Sequence, residues 1–585
     1  MALRSIQRSD RDEVVAKRGA VAATRRAQAE AGLACLQEGG SAVDAAVCVG
    51  FMAAVMEPME TCLGAAGFFL VWDSATGKPV IFEFPPRAPA AATADMFEVV
   101  DGDTRKMSLT VFAVKDDENS CGERAAAVPG LVAALVAAHK RFGQLPLSRV
   151  MEPAIAVADE GFDADYYYCW MTAAYLPYLQ RHPRSLATFT DDGRVPAADP
   201  NMKIKQRALA DTLRQIARDG GESFYRGDIA ESMIADITRG GGIMTRDDLA
   251  NYRVNVTEGL TRKYRGVDIV VPTAPGGHWT ELQILNTLGK FDLRSMGHNS
   301  TDALHTLIEA SRHAFADRYY HLGDPDFEPV PVEGLLSDAY ADQTAGRIVA
   351  GRASMETPGD AEPWSHFAFE AVNDPWPFDP SGPLAPKRYA SVAPAHSPGS
   401  GTTHFCAVDE DRMLVSCTHT AAHAFGAKFL PETGVLFNAG MNWFTAAPGA
   451  ANSIAGGKRP VVNMGPVLAL RDGKPYLALG APGGRHIIGA VVQILSNVID
   501  FGLSMQPACS VARTDSSSRV TRVDDRIDGA VIDELAAMGH RLEMVNEEAN
   551  STGYEFAHPT AIEVCADGTV RCGVDAFRKM EAVGW

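Results

Sequence analysis

Nine prolines fall between Glu356 and Ser400, among glycines and serines and with neither a helical nor a strand period. A proline lacks the N–H that a helix interior or a sheet ladder needs, so this segment reads as a loop or linker and not as a packed element. It divides the chain of 585 residues into unequal parts. Upstream, Ala20 to Pro58 is helical in pattern, broken at Gly39-Gly40, where Ser41 can cap a second helix. Phe68 to Asp73 and Pro79 to Phe84 read as a hairpin, and Val128 to Phe327 reads as mostly helical, with loops at 190–202 and 322–331. Downstream, short alternating strands turn at Asp409-Glu410-Asp411, Asp472-Gly473 and Asp567-Gly568, with helical stretches at 487–499 and 529–539. The C-terminal third is thus expected to be a strand-rich α/β layer.

Composition narrows the function. With 46% hydrophobic and 22% charged residues the chain is globular, not disordered. A formal charge of -19, from 54 basic against 73 acidic residues, repels phosphate backbones and anionic membranes, so nucleic acid is excluded as a partner. The longest apolar windows, such as Ile487 to Ile499, fall short of the roughly 20 residues of a membrane span. The N-terminus alternates charges where a secretory signal needs an apolar core, which makes the cytoplasm the default compartment. Ten cysteines without a CxxC pair or tight cluster read as buried thiols in a reducing compartment.

After the proline-rich segment comes GSGTTHFCAVDEDRMLVSCTHTAAHAFG. It reads as a hairpin whose turn is centred near Asp411, and pairing outward sets Thr402 opposite Thr420, each nine positions away. A threonine pair at the open end of a hairpin is as a rule a structural contact, and the pattern alone does not make it catalytic. Further on, Leu477 to Gly480 is a strand, Ala481-Pro482-Gly483-Gly484 a turn, and Arg485 the start of an amphipathic helix. Free N–H groups at such a turn suit a phosphate or a developing oxyanion. A nucleotide loop would want GK[ST] after the glycines, which is absent. A plain strand-to-helix turn stays open beside the anion-binding reading. His404, His419 and His423 invite a metal reading, against which stand the missing glutamate in HTAAH and the lack of a nearby carboxylate.

GGSAVDAAVCVGFMAAVMEP, AAAVPGLVAALVAAHKRFGQLP, PTAPGGHWTELQILN, HTLIEASRHAFADRYYHLGDPDF, TTHFCAVD, GGKRPVVNMGPVLAL and GAPGGR follow one another in the order of the corresponding motifs of the γ-glutamyltranspeptidase family. The resemblance runs from about residue 15 to the C-terminus. It implies an α/β N-terminal-nucleophile (Ntn) hydrolase, an αββα sandwich assembled from two subunits cut from one precursor. The cut would fall at Gly401-Thr402, leaving a large subunit 1–401 and a small subunit 402–585. In the family's pattern Thr402 is the nucleophile, Thr420 hydrogen-bonds it, and the amides of Gly483 and Gly484 form the oxyanion hole. A free α-amine, with a pKa of about 7.7–8.0, then serves as the base on the same residue. This chemistry calls for no metal or organic cofactor.

The substrate positions depart from the family. Where true transpeptidases hold the glutamyl carboxylate with the arginine of a DFRE-like motif, this chain reads EFPPRAP, with Pro85 at that place and Arg87 two residues on. The asparagine after the second threonine is Ala422, the polar pair for the α-amine falls on Gly440 and Trp443, and the paired serines after KRP fall on Val462 and Asn463. The chain is closer to cytoplasmic amidohydrolase-type members, which share the GMNWF segment at 440–444. The expected reaction is hydrolysis of a small amide or lactam through an acyl-enzyme, with Trp443 and Val462 narrowing the pocket and Arg87 or Arg485 supplying positive charge; structural roles for these four carry equal weight. METCLGAAGF at 59–68 also departs from the family's glycine-rich loop, with its contacts unassigned. Two alternatives stand beside this reading: a γ-glutamyl hydrolase or transpeptidase acting on glutathione-like amides, and an uncleaved, non-catalytic binding protein. The expected partners are a small-molecule amide and the two subunits of one precursor, in a protomer that is compatible with a higher homo-oligomer.

Overall fold

The computed structural model describes residues 11–100, 114–197, 202–353, 401–517, 520–547 and 556–585. The linker expected at 356–400 lies outside them, as does part of the loop expected at 190–202. Two large sheets of seven strands each form the centre. In chain order their strands are β1 (Val14–Ala16), β2 (Ala20–Ala23), β3 (Ala66–Asp73), β4 (Lys78–Phe84), β5 (Asn255–Thr257), β6 (Leu260–Tyr264), β7 (Val267–Val271), β8 (Thr402–Val408), β9 (Leu414–Thr420), β10 (Val467–Arg471), β11 (Lys474–Gly480), β12 (Thr560–Val564), β13 (Val570–Val574) and β14 (Glu581–Gly584). One sheet runs β1-β13-β12-β11-β10-β7-β6 and the other β14-β2-β8-β9-β3-β4-β5, antiparallel throughout.

The sheets pack face to face. The Ser416 hydroxyl on β9 donates to the Leu479 carbonyl on β11 at 3.1 Å, and the Thr560 hydroxyl on β12 donates to the His404 carbonyl on β8 at 3.3 Å. Helices α1 (Arg26–Gln37), α2 (Ala42–Met56) and α3 (Leu131–Phe142) cover the outside of the β8–β9 sheet. Helices α4 (Gly277–Leu288) and α5 (His486–Ile499) pack together beside the other sheet, α5 against β11 and α4 against β6. The result is the expected αββα sandwich. With both faces covered, β8 and β9 are buried at every position, which suits their run of β-branched, aromatic and small residues. Helix α2 is likewise buried along its whole length, and its start is fixed by Ser41 and Asp44, which cap each other's backbone N–H groups.

Several expectations need correction. Ala20–Ala23 is a strand, not the first turn of a helix, because these alanines fill a fully buried ladder position between β8 and β14. The stretch read as helical from Val128 to Phe327 contains three strands, β5 at the edge of one sheet and the hairpin β6–β7 at the edge of the other. Strands β5 and β6 are short and partly exposed, so their alternation was lost among the surrounding helical periods. Helix α5 is not amphipathic: Ile487 through Val498 are all buried, packed between the sheet and α4. All ten cysteines are free thiols, but Cys169 and Cys565 are only half-buried.

Candidate active site

The β8–β9 register places Thr402 directly opposite Thr420, as the sequence spacing requires. The Thr402 hydroxyl donates to Thr420 Oγ1 at 3.0 Å, the Ala422 N–H donates to the same oxygen at 2.9 Å, and the Thr420 hydroxyl donates to the Gly401 carbonyl. One hydroxyl therefore touches the candidate nucleophile and also polarises the carbonyl that precedes it. Ala422 adopts φ +70, which redirects the chain just past this contact. Gly401 is hemmed by backbone: an added Cβ would lie 2.7 Å from the His423 carbonyl and 2.8 Å from that of Met59.

The loop between α2 and β3, whose contacts the sequence left unassigned, reaches this point. Glu60, 3% exposed, accepts the Thr402 N–H at 3.0 Å through Oε2 and the Tyr167 hydroxyl at 2.5 Å through Oε1. Sequence reasoning missed Glu60; the signal was a second acid, three residues after Glu57, in a loop that is buried throughout.

Side chains alternate along a strand, so Thr402, His404 and Cys406 share the face turned to the other sheet. There Leu479 meets Ser416, while a Cβ on the next residue, Gly480, would run into the His404 ring. One step along β11 is thus one pair toward the open end of the hairpin, so the turn Ala481–Gly484 emerges on the Thr402 side. Gly483 and Gly484 have φ +140 and +60, and a Cβ on Gly483 would come within 2.6 Å of Ala557 Cα. Among the described residues neither glycine N–H meets an acceptor, whereas their carbonyls accept from His486 and Ile487. Two donors held in a glycine-only conformation suit a developing oxyanion.

The three histidines do not converge. His404 bonds Thr418 Oγ1 at 2.8 Å on the inter-sheet face, His419 bonds Thr61 Oγ1 at 2.5 Å on the opposite face, and His423 stands edge-on to Tyr175. Burial pushes the pKa of His404 and of His419 down to about 3 and holds that of His423 well below its ordinary value, so all three are neutral. Two other buried groups bring three potential metal ligands within 4.8 Å, His305 with Glu309 and His540, and Glu547 with His558 and Asp575. Each already holds an arginine: Arg312 lies 3.7 Å from Glu309, and Arg513 lies 3.5 Å from Asp575. These are ion-pair networks in which a guanidinium supplies the positive charge.

The substrate positions gather in part. Ala422 lies two residues beyond the second threonine, Ala439 bonds back to Ala421, and Gly440 packs on Pro86 beside Arg87. The Arg87 guanidinium donates to the Gly457 carbonyl at 3.3 Å, and Trp443 is buried with its carbonyl held by Asn452. Val462 is fully buried, and Asn463 Oδ1 accepts from Arg318. Arg485 precedes α5, half-buried.

The profile of the gamma-glutamyltranspeptidase family matches residues 28–585. The chain belongs to the γ-glutamyltranspeptidase family. It is 34% identical over 517 residues to the glutathione hydrolase proenzyme of Escherichia coli K12, covering 86% of this chain and 81% of that one. It is 33% identical over 527 residues to the acylase ACY 1 proenzyme of Pseudomonas sp. SE83, covering 90% and 87%. Among solved structures, the cephalosporin acylase of Bacillus halodurans superposes with a TM-score of 0.82 at 26% identity, covering 100% of this chain and 99% of that one. The chain is accordingly an Ntn-type enzyme of the amide hydrolase and acyltransferase group.

The γ-glutamyltranspeptidase-family motifs also find physical reasons here. Asp324, in the GDPDF segment, receives the Arg459 backbone N–H at 2.8 Å and the Arg459 Nε at 3.0 Å, clamping GGKRP to the end of the long helix Thr301–His321. Arg318 on that helix donates to the carbonyls of Gly276 and Val462 at 2.9 and 2.7 Å, tying PTAPGGHW to the same GGKRPVV segment. The contacts onto the GGKRPVV segment span more than a hundred residues and leave no mark in the sequence pattern. Among the described residues, no helix is long and apolar enough to cross a membrane.

Proposed function

We propose that the chain is a precursor that cuts its own Gly401–Thr402 bond and then hydrolyses a small amide or lactam with Thr402 as an N-terminal nucleophile. The observation that carries this reading is the Thr420 hydroxyl, bonded at once to the Thr402 hydroxyl and to the Gly401 carbonyl. In the cut, Thr402 Oγ1 bonds to the Gly401 carbonyl carbon while Thr420 stabilises the charge on its oxygen. The C–N bond then breaks, leaving an ester that water opens. Subunits 1–401 and 402–585 stay together, because both sheets interleave them: β8 pairs with β2 and β9 with β3 in one, and β13 pairs with β1 and β10 with β7 in the other.

In the mature protein the hydroxyl attacks a substrate carbonyl, the Gly483 and Gly484 amides take the oxyanion, and the α-amine, with an ordinary pKa of about 7.7–8.0, carries the proton. A non-glutamyl acyl group is supported by the positions that depart from the transpeptidase pattern. Val462 offers no polar group to a charged headgroup, and Asn463 already serves Arg318. A buried ammonium or carboxylate left unpaired there costs several kcal/mol. The likeness to acylases supports the same choice. Ten free thiols support a reducing, cytoplasmic setting.

Intact mass spectrometry of the purified protein beside Thr402→Ala tests the cut: two fragments meeting at Gly401-Thr402, absent in the variant, are expected. Turnover of small acyl amides, with γ-glutamyl-p-nitroanilide a poor substrate, tests the specificity. The likeness to glutathione hydrolases favours a second reading, a γ-glutamyl hydrolase or transpeptidase whose carboxylate is held by Arg87. In that case γ-glutamyl-p-nitroanilide turns over at a rate typical of the family, and Arg87→Ala raises its KM steeply. A parent that never cuts instead marks a binding protein.

A further inference from the structure

We propose that Glu60 is the third member of the catalytic set, holding the nitrogen of Thr402 first as the amide of the bond to be cut and then as the α-amine that acts as base. This rests on the threonine-nucleophile reading and deepens it. Glu60 is fixed before its side chain is considered: its N–H donates to the Glu57 carbonyl at 2.8 Å, and its own carbonyl accepts from Ala421 at 3.2 Å. The carboxylate then spans from Thr402 N to the Tyr167 hydroxyl, buried away from water.

The charges around it set its field. Arg25, ion-paired to Asp165 at 2.6 Å, also feels Glu57 and Glu60, and Glu57 itself accepts from Gln28. Tyr175 lies on the same helix, Tyr166–Leu179, as Tyr167, whose ring carries the Arg578 guanidinium 4.6 Å from its centroid. Glu60 is the carboxylate of this group that is hydrogen-bonded to Thr402 N.

The proton balance gives the carboxylate its work. In the cut, the Oγ1–C bond forms, the C–N bond breaks, and the hydroxyl proton ends on the departing nitrogen. In turnover, the hydroxyl proton passes to the α-amine as Oγ1 bonds to the acyl carbon. The ammonium then returns that proton to the leaving amine, and water repeats the cycle to release the acid. At each stage positive charge grows on the nitrogen that faces Glu60 Oε2. This is the service that the aspartate of a Ser-His-Asp triad gives its imidazolium. An anion about 3 Å away raises the amine pKa by on the order of one unit or more, and the Tyr167 hydrogen bond tempers that field.

The test uses the full chain, with the cut followed by intact mass and the acylation burst with p-nitrophenyl acetate followed against pH, corrected with Thr402→Ala. Glu60→Gln is expected to cut at least about 10-fold more slowly. Its matured fraction should lose its acidic limb at a pH lower by about one unit, since the amine without its anion deprotonates more readily. Tyr167→Phe is expected to move the limb the other way. Glu60→Gln that cuts and titrates as the parent does overturns the proposal. If Glu60→Gln melts normally but stays uncut, the first half of the proposal is supported and Tyr167→Phe decides the second. If Glu60→Gln does not fold, Tyr167→Phe decides alone, and an unmoved limb overturns the proposal. A parent that never cuts removes the threonine reading itself, a result visible in its own mass before any variant is made.

Discussion

Thr402 and Thr420 stand opposite one another at the open end of the β8–β9 hairpin, their hydroxyl oxygens 3.0 Å apart. Because Thr420 also donates to the Gly401 carbonyl, Thr420→Val removes a donor and an acceptor with little change of volume. The cut should slow by about 10- to 100-fold, as expected for a hydrogen bond to a charge-bearing group worth about 1.5–3 kcal/mol. Time courses of precursor mass check this, and Thr420→Ser should retain most of the rate.

Gly483 and Gly502 both have positive φ, but only Gly483 is crowded. Gly483→Ala meets Ala557 Cα at 2.6 Å and must move the turn, so kcat should fall by about 10²–10³, the effect of losing one oxyanion donor. Gly502→Ala has open space and should cost only about 1 kcal/mol of stability, with activity intact. Steady-state kinetics and chemical denaturation separate the two.

Arg318 is 2% exposed and gives its guanidinium protons to the carbonyls of Gly276 and Val462 and to Asn463. Arg318→Met leaves these acceptors buried and unmet, at a cost of about 1–3 kcal/mol each. Urea unfolding should show a loss of at least about 3 kcal/mol, together with slower precursor cleavage.

Acid should unfold the protein early. Burial holds His278, His313, His404, His419 and His540 at about 3, and His182 and His558 at about 4. The unfolded chain protonates its histidines near pH 6.5, so between pH 6.5 and 4 it binds more protons than the native state and stability falls as pH falls. Asp317 and Glu547, raised to about 8 by burial, and Glu281, raised well above its ordinary value by burial, oppose this, because the native state binds their protons before the unfolded chain does as pH drops. With His423 also held well below its ordinary value, eight histidines outnumber these three carboxyls, so the net slope favours unfolding below pH 6. Thermal melts at pH 7.5, 6 and 5 check it.

Local pattern made much of this site legible. The turn at Asp409–Asp411 and the alternation on either side of it fix the Thr402–Thr420 pairing, because hairpin register follows from the turn. The glycine pair at 483–484 announced its conformation for the same local reason. Glu60 was not legible, since its partner lies 342 residues away and no period in the sequence marks a contact of that range. The strand at Ala20–Ala23 was hidden differently: alanine favours a helix when alone, and only the β8 and β14 ladders on either side override it.

The sequence by itself determined the elements whose causes lie within a few residues: the capped α2, the hairpin with its two threonines, the glycine turn, and the family to which they belong. Tertiary structure alone decided which charges meet them. Packing two sheets face to face brought Gly480 onto His404 and carried the glycine turn to the Thr402 end, while the loop after α2 set a buried carboxylate against the Thr402 nitrogen. Such contacts arise from burial and closure across hundreds of residues, and in a buried setting each must be matched in charge and hydrogen bonding, a condition that only the assembled fold can meet.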